Sequence, residues 1–132
     1  MTEYHLLLAE DQPTMRDTQR RLLAAMGFGH VTGVRNGEEA WTALCNGRFD
    51  LVLCDWNMPR LDGLGLLKRV REVPEMAQLP FILITGENTG DHVRAARSLG
   101  VTDFIVKPFS AVTLEQRIRR ALQQTQTRQQ TG

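Results

Sequence analysis

Lysine is nearly absent from this chain. Of its 16 basic residues 14 are arginine, and the only lysines are Lys68 and Lys107. Cysteine is scarce too. Cys45 and Cys54, nine positions apart, make neither a disulfide framework nor a CxxC metal or redox motif. Cys54 closes the apolar run LVLC and reads as a core residue. Apolar runs stop at four or five residues, far short of the ~20 that a membrane helix needs. The opening MTEYHLLLAED has no basic n-region and meets carboxylates too soon for a signal peptide, so a cytoplasmic location without membrane insertion is expected. An excess of one charge is lacking as well. The 16 basic and 15 acidic residues leave +1, which gives no global field toward nucleic acid or an anionic surface. There is no GxxxxGK(S/T) phosphate loop, no HExxH and no GxSxG elbow. His5, His30 and His92 are scattered without zinc spacing. What is present is 132 residues, 42% hydrophobic and 23% charged, the composition of one ordinary globular domain.

Short apolar runs alternate with longer amphipathic stretches. The runs cover 5–9 (HLLLA), 31–34 (VTGV), 51–54 (LVLC), 81–84 (FILI) and 104–106 (FIV). They are too short for helices and mostly apolar throughout, as strands buried on both faces of a parallel sheet are. VTGV carries a glycine and belongs at an edge. The first helix is expected over 13–26, with Pro13 in its first turn and Gly27 as a left-handed stop. Its stripe is Met15, Leu22 and Met26, with polar Thr18 and Gln19 where apolar residues would be expected. The second follows Asn36, which has capping-box spacing to Glu39, and buries Ala40, Trp41 and Leu44. The third spans 63–73 with Leu66, Val70 and Val73 inward, and stops before Pro74. The fourth spans 91–99 with Val93, Ala96 and Leu99 inward. The fifth follows an N-cap at Ser110 and buries Leu114, Ile118, Ala121 and Leu122. The domain is therefore expected over 1–123, with 124–132 as a flexible polar tail. The order βαβαβαβαβα implies an α/β fold with right-handed crossovers and a parallel sheet covered on both faces. It does not determine the strand order.

In open α/β sheets ligands bind beyond the carboxyl ends of the strands. The first run is followed by Glu10 and Asp11, the third by Asp55, the fourth by Thr85 and the fifth by Lys107. Three carboxylates, a hydroxyl and an ammonium thus reach one rim. Clustered carboxylates resist full ionisation unless a cation joins them, and an all-oxygen set selects Mg²⁺ or a similar hard ion. A lone lysine among arginines suits a point charge on an anion, and Thr85 can donate to the same anion. The anion that best matches Mg²⁺ plus lysine is a phosphoryl group. With no nucleotide cradle and no hydroxyl or thiol elbow, a carboxylate is left as nucleophile, giving an aspartyl phosphate. Asp55 stands alone after the most apolar strand and fits that role, while the adjacent Glu10 and Asp11 suit metal binding.

At these residues the sequence resembles the receiver domains of two-component response regulators, in particular the CheY-like chemotaxis type. The resemblance spans about 4–123. It rests on Glu10-Asp11, DWNMPRLDG at 55–63, TGE at 85–87 and KPFSAVTLE at 107–115. It implies a flavodoxin-like three-layer sandwich with strand order 2-1-3-4-5. It implies that Asp55 accepts a phosphoryl group from a histidine kinase or phosphotransfer protein. Mg²⁺ would be held by Asp11, Asp55 and the Asn57 backbone carbonyl, with Glu10 acting through water. Thr85 and Lys107 would contact the phosphoryl oxygens. Thr85 and Phe104 would form the switch, on a surface of the fourth helix, fifth strand and fifth helix that binds a downstream protein. Asn57 and Glu87 match positions that set dephosphorylation rate and point to a short-lived phosphoryl group. A cis bond is expected at Lys107–Pro108.

Phe104 carries no phenolic hydroxyl, so its switching would rest on packing alone. Gln12-Pro13, Thr18 and Gln19 depart from the usual first helix, which faces the kinase. Trp56 sits next to Asp55 as a loop aromatic and a fluorescence reporter. Arg117, Arg119 and Arg120 read as a solvated helix face rather than a nucleic-acid contact. Such a protein is not an enzyme toward external substrates and catalyses only its own phosphorylation and dephosphorylation. It is expected as a monomer or a phosphorylation-dependent dimer. The other readings are a Mg²⁺-dependent phosphohydrolase with an aspartate nucleophile, a passive flavodoxin-like binding module, and a receiver module of a larger regulator or phosphorelay.

Overall fold

All five apolar runs become strands of one parallel sheet. The computed structural model describes residues 3–86 and 90–131, with side chains through 124. In chain order the elements are β1 (His5–Ala9), α1 (Pro13–Ala25), β2 (His30–Val34), α2 (Gly37–Asn46), β3 (Leu51–Asp55) and α3 (Gly63–Glu72). A single 3₁₀ turn at Pro74–Met76 leads to β4 (Phe81–Thr85), α4 (Gly90–Ser98), β5 (Asp103–Val106) and α5 (Ala111–Thr131). The strand order is β2-β1-β3-β4-β5, the flavodoxin-like arrangement, with the glycine-bearing β2 at an edge as expected.

Strand alternation splits the apolar runs between two cores. Leu7, Ala9, Val52, Cys54, Phe81 and Leu83 pack on one face with Ala40 and Leu44 of α2, Leu66, Leu67 and Val70 of α3, and Ala96 of α4. Leu6, Leu8, Leu51, Leu53, Ile82, Ile84 and Ile105 pack on the other with Leu23 of α1 and Leu114, Ile118 and Ala121 of α5. Residues of both faces are apolar because both are covered, which is why the runs show no alternation in sequence. The result is a three-layer α/β sandwich. No helix among the described residues is long and apolar enough to cross a membrane.

Most helix ends follow local chemistry. Asn36 caps α2 by accepting from the Glu39 N–H at 2.8 Å. The reciprocal bond of the expected capping box is displaced by one residue: the Glu39 carboxylate accepts from the Arg35 N–H at 2.9 Å, not from Asn36. Asp62 caps α3 through the Gly65 N–H and Ser110 caps α5 through the Thr113 N–H. Gly27 takes φ +96° and Gly100 φ +82°, ending α1 and α4 in the left-handed region. The helix α5 continues past its apolar stripe to Thr131.

The phase of α1 differs from the expected stripe. Leu23 and Gln19 are its buried residues, whereas Met15, Leu22 and Met26 are only half-buried. The inward face is therefore centred on 16, 19 and 23, and it carries a basic residue and an amide. Gln19 is 3% exposed, and neither its Oε1 nor its Nε2 has a hydrogen-bond partner. An unpaired buried amide costs about 1–3 kcal/mol. Gln19→Leu is therefore expected to raise the stability by about 1–2 kcal/mol in urea unfolding, at unchanged m-value.

Gly63 opens α3 against the end of β3. A Cβ there would lie 2.7 Å from the Asp55 carbonyl oxygen and 3.0 Å from the Trp56 Cα. Both are backbone atoms, which cannot turn aside as a side chain can. Gly63→Ala is expected to destabilise by about 1–3 kcal/mol in the same unfolding experiment, and to disturb the Asp55 loop.

Candidate active site

The carboxyl ends of the three central strands and β5 deliver the chemistry. Pairing of Asp55 with Ile84 and of Thr85 with Val106 fixes these residues at one edge. Asp55 ends β3, the middle strand, and is 7% exposed. Glu10, just past β1, is 2% exposed. Glu10, Asp11 and Asp55 each offer one carboxylate oxygen, all lying within 4.8 Å of one another. The Lys107 ammonium lies 3.2 Å from Asp55 Oδ2 and 3.7 Å from Glu10 Oε1. The four ionisable residues singled out from their places after strands thus meet in one pocket.

The backbone holds each group in place. The Lys107 N–H donates to the Thr85 carbonyl at 2.7 Å, and the Lys107–Pro108 peptide bond is cis, as expected. The Trp56 N–H donates to Ile84, and the Gly63 N–H donates to the Trp56 carbonyl, both at 2.8 Å. The loop after Asp55 is thereby closed on itself. Within it Arg60 takes φ +71°, a conformation that costs an ordinary side chain about 1–2 kcal/mol. Asn57 is exposed in this loop, two residues beyond Asp55. Thr85 is buried at the end of β4. Glu87 lies outside the described residues.

Electrostatics follow from this crowding. Burial, chiefly, raises the Glu10 carboxyl above the ordinary carboxylate range, and the neighbouring Asp55 charge adds to it. The Gln12 N–H, which donates to Glu10 Oε2 at 3.1 Å, and the Lys107 charge oppose the rise. Glu10 Oε1 is buried and accepts no hydrogen bond. With the Lys107 ammonium no nearer than 3.7 Å, a divalent hard cation would give this oxygen a direct partner, so the donor set fits Mg²⁺. Burial also pushes the Cys54 thiol well above its usual value, in keeping with a core residue.

Phe104 is half-buried on β5 and packs against the α2–α3–α4 core. With Trp56, Thr85, His92, Val93 and Ala96 it lines a crevice that has no room for a water molecule. Trp56 is itself 8% exposed, a core aromatic rather than a free loop residue, and its ring lies 4.7 Å from that of His92. Three arginines of α5 are engaged within the protein: Arg117 and Arg120 pair with Asp103 at 3.0 and 2.6 Å, and Arg119 with Glu115 at 2.9 Å.

Three contributors escaped the sequence reading. Arg16 donates to the Glu10 carbonyl at 2.8 Å. Its position on the 16–19–23 face marks it once the phase of α1 is centred on Leu23. His92 has no metal spacing in the sequence, and its contact is with the Trp56 ring instead. The tight fit of Gly63 depends on the approach of β3, which has no local signature.

Comparison with known proteins supplies the family. Residues 6–119 match the response regulator receiver domain. The chain is 38% identical over 113 residues to chemotaxis protein CheY-3 of Vibrio cholerae, covering 86% of this chain and 87% of that protein. The signal receiver domain of a signal transduction histidine kinase from Syntrophus aciditrophicus has a TM-score of 0.84 at 32% identity, covering 91% of this chain and 90% of that one. The receiver domain of sensor histidine kinase PA1611 from Pseudomonas aeruginosa, solved with a magnesium ion coordinated in its active-site cleft, has a TM-score of 0.83 at 26% identity. It covers 92% of this chain and 98% of its own. With this match over most of its length, and an acidic pocket with a lysine at the carboxyl edge of its sheet, the chain belongs to the response regulator receiver domain family, as a CheY-like receiver of two-component systems.

Proposed function

We propose that Asp55 is the phospho-acceptor, taking its phosphoryl group from the phosphohistidine of a histidine kinase or phosphotransfer protein. One observation carries this reading. A buried aspartate at the end of the central strand has an ammonium 3.2 Å from one oxygen and two further carboxylates beside it. An Asp55 carboxylate oxygen attacks phosphorus, the bond from phosphorus to the donor's imidazole nitrogen breaks, and that nitrogen keeps the electron pair. The product is an acyl phosphate on Asp55. Lys107 stays protonated and stabilises the charge that spreads over the phosphoryl oxygens, and the Thr85 hydroxyl donates to one of them. Asp11, Asp55 and the Asn57 carbonyl, with Glu10 acting through water, would hold Mg²⁺, which when bound neutralises the carboxylates and polarises the phosphoryl group. The chemistry is confined to the protein's own aspartate, with output through a protein partner. Asn57 and Glu87 set a short phosphoryl lifetime.

Incubation with Mg²⁺ and a small acyl-phosphate donor, followed by intact mass measurement, is expected to give a single acid-stable, base-labile phosphoryl adduct. Asp55→Asn should abolish it. Sustained hydrolysis of phosphate monoesters with no adduct would overturn the proposal in favour of a phosphohydrolase. Lys107→Met is expected to slow adduct formation about a hundredfold, the scale of losing one transition-state donor. Unaltered rates would remove Lys107 from the chemistry.

The raised Glu10 carboxyl gives a pH signature in metal-free protein. Its folded value lies above its unfolded value, so the folded state holds the extra proton between the two. Glu10 therefore costs nothing below the unfolded value, and its cost grows as pH rises through the folded one. Glu10→Gln should raise Tm at neutral pH without metal, and this advantage should vanish below about pH 4.5, the ordinary carboxyl value. A Tm gain that is the same at both pH values would contradict the assignment.

A further inference from the structure

We propose that Arg16 is a positioning residue for the cation site, acting through the Glu10 carbonyl; this rests on the Mg²⁺ site proposed above. The guanidinium reaches back from α1 to donate from Nη1 to the Glu10 carbonyl oxygen at 2.8 Å. That carbonyl belongs to the peptide unit that leads into Asp11. The same residue is tied at two other points. The Glu10 N–H donates to the Val34 carbonyl at 3.0 Å, and Glu10 Oε2 accepts from the Gln12 N–H at 3.1 Å. The Arg16 bond completes the set, so the main chain of Glu10 is held at both ends and one carboxylate oxygen is fixed. Only Oε1 is left without a hydrogen bond, and it is the oxygen 3.7 Å from Lys107.

The sheet is shaped to admit this arm. Gly33, on the neighbouring strand β2, lies under the Arg16 stem, and a Cβ there would come within 3.2 Å of Arg16 Cδ. The arginine thus crosses the edge strand at its one residue without a side chain. Holding the orientation of groups behind metal ligands commonly changes metal affinity by tenfold or more. An arginine is suited to this because its planar fork keeps a fixed direction, which a lysine does not.

Charge and positioning predict opposite signs. Arg16 is a cation beside an acidic cluster, so by Coulomb's law alone its removal should tighten Mg²⁺ binding. If it positions Glu10 and Asp11, its removal should loosen binding. The experiment is a Mg²⁺ titration of the unphosphorylated protein, followed by Trp56 emission in a Trp41→Phe background and by calorimetry. Arg16→Met is expected to weaken Mg²⁺ binding about tenfold. Arg16→Lys keeps the charge and most of the stem, and is expected to weaken it nearly as much. Arg20→Met removes the other guanidinium that lies over Gly33, and should leave the affinity unchanged or slightly tighter. Folding is checked by circular dichroism. If Arg16→Met does not fold, Arg16→Lys carries the test. Unchanged or tighter binding in the Arg16 variants overturns the inference, as does equal weakening in Arg20→Met. Failure of the unaltered chain to bind Mg²⁺ would instead strike the proposed function itself.

Discussion

Two carboxylates lie buried within reach of one ammonium, and the rest of this molecule is arranged around that fact. Glu10 and Asp55 are 2% and 7% exposed, and Lys107 is the nearby cation that forms ion pairs with both. A buried charge with no partner costs several kcal/mol. Like charges side by side add to that cost, and here they raise the Glu10 carboxyl further after burial has raised it. The pocket is therefore held under electrostatic strain by the packing of the sheet. The fold supplies that packing. β3 sits at the centre with β1 and β4 beside it, and the residues at the ends of all three are buried. A cationic ligand or a developing positive partner relieves the strain, which is why a magnesium-dependent phosphoryl transfer suits the geometry.

The loop after β3 shows the same economy of space. Its ends are joined by the Gly63-to-Trp56 hydrogen bond, Gly63 touches the backbone of Asp55, and Gly37 at the start of α2 approaches the Leu61 carbonyl closely. Glycine at these two positions lets three chain segments touch behind Asp55. Arg60 accepts a left-handed conformation within that closed turn. Loops at binding sites are usually the mobile part of a domain, but here backbone contact fixes the loop that follows Asp55.

Much of this was legible in the sequence for identifiable reasons. Buried parallel strands are uniformly apolar, so 5–9, 51–54 and 81–84 declared themselves. The residues that follow strands in such sheets share one rim, so Glu10, Asp11, Asp55, Thr85 and Lys107 could be grouped before any coordinates. The strand order was not readable from the pattern; only the resemblance to receivers carried it. The phase of α1 was missed because Leu22 and Leu23 are adjacent, and either can centre an apolar stripe. A stripe centred on Leu22 already carries Gln19 but leaves Leu23 and Arg16 outward, whereas the structure turns both inward. Trp56 was read as a loop aromatic because burial of a residue just past a strand depends on what α4 brings to it, and His92 is far away in sequence.

In the proposed function, a change at Asp55 reaches the partner-binding side through one crowded spot. Thr85, Trp56, Phe104, His92, Val93 and Ala96 share a crevice without space for a water molecule. Trp56 follows Asp55, Thr85 ends the next strand, Phe104 stands on β5, and the other three belong to α4. A close-packed interior does not absorb a displaced side chain by compression; it passes the displacement to a neighbour. Phe104 has no hydroxyl to form or break a hydrogen bond, so only its volume and position can carry a signal. In the proposed function, a shift of Thr85 toward a phosphoryl group opens space that Phe104 or His92 must fill. Either movement alters the α4–β5 surface. On that reading the chain reaches its output face through packing, and the fullness of the crevice makes that coupling stiff.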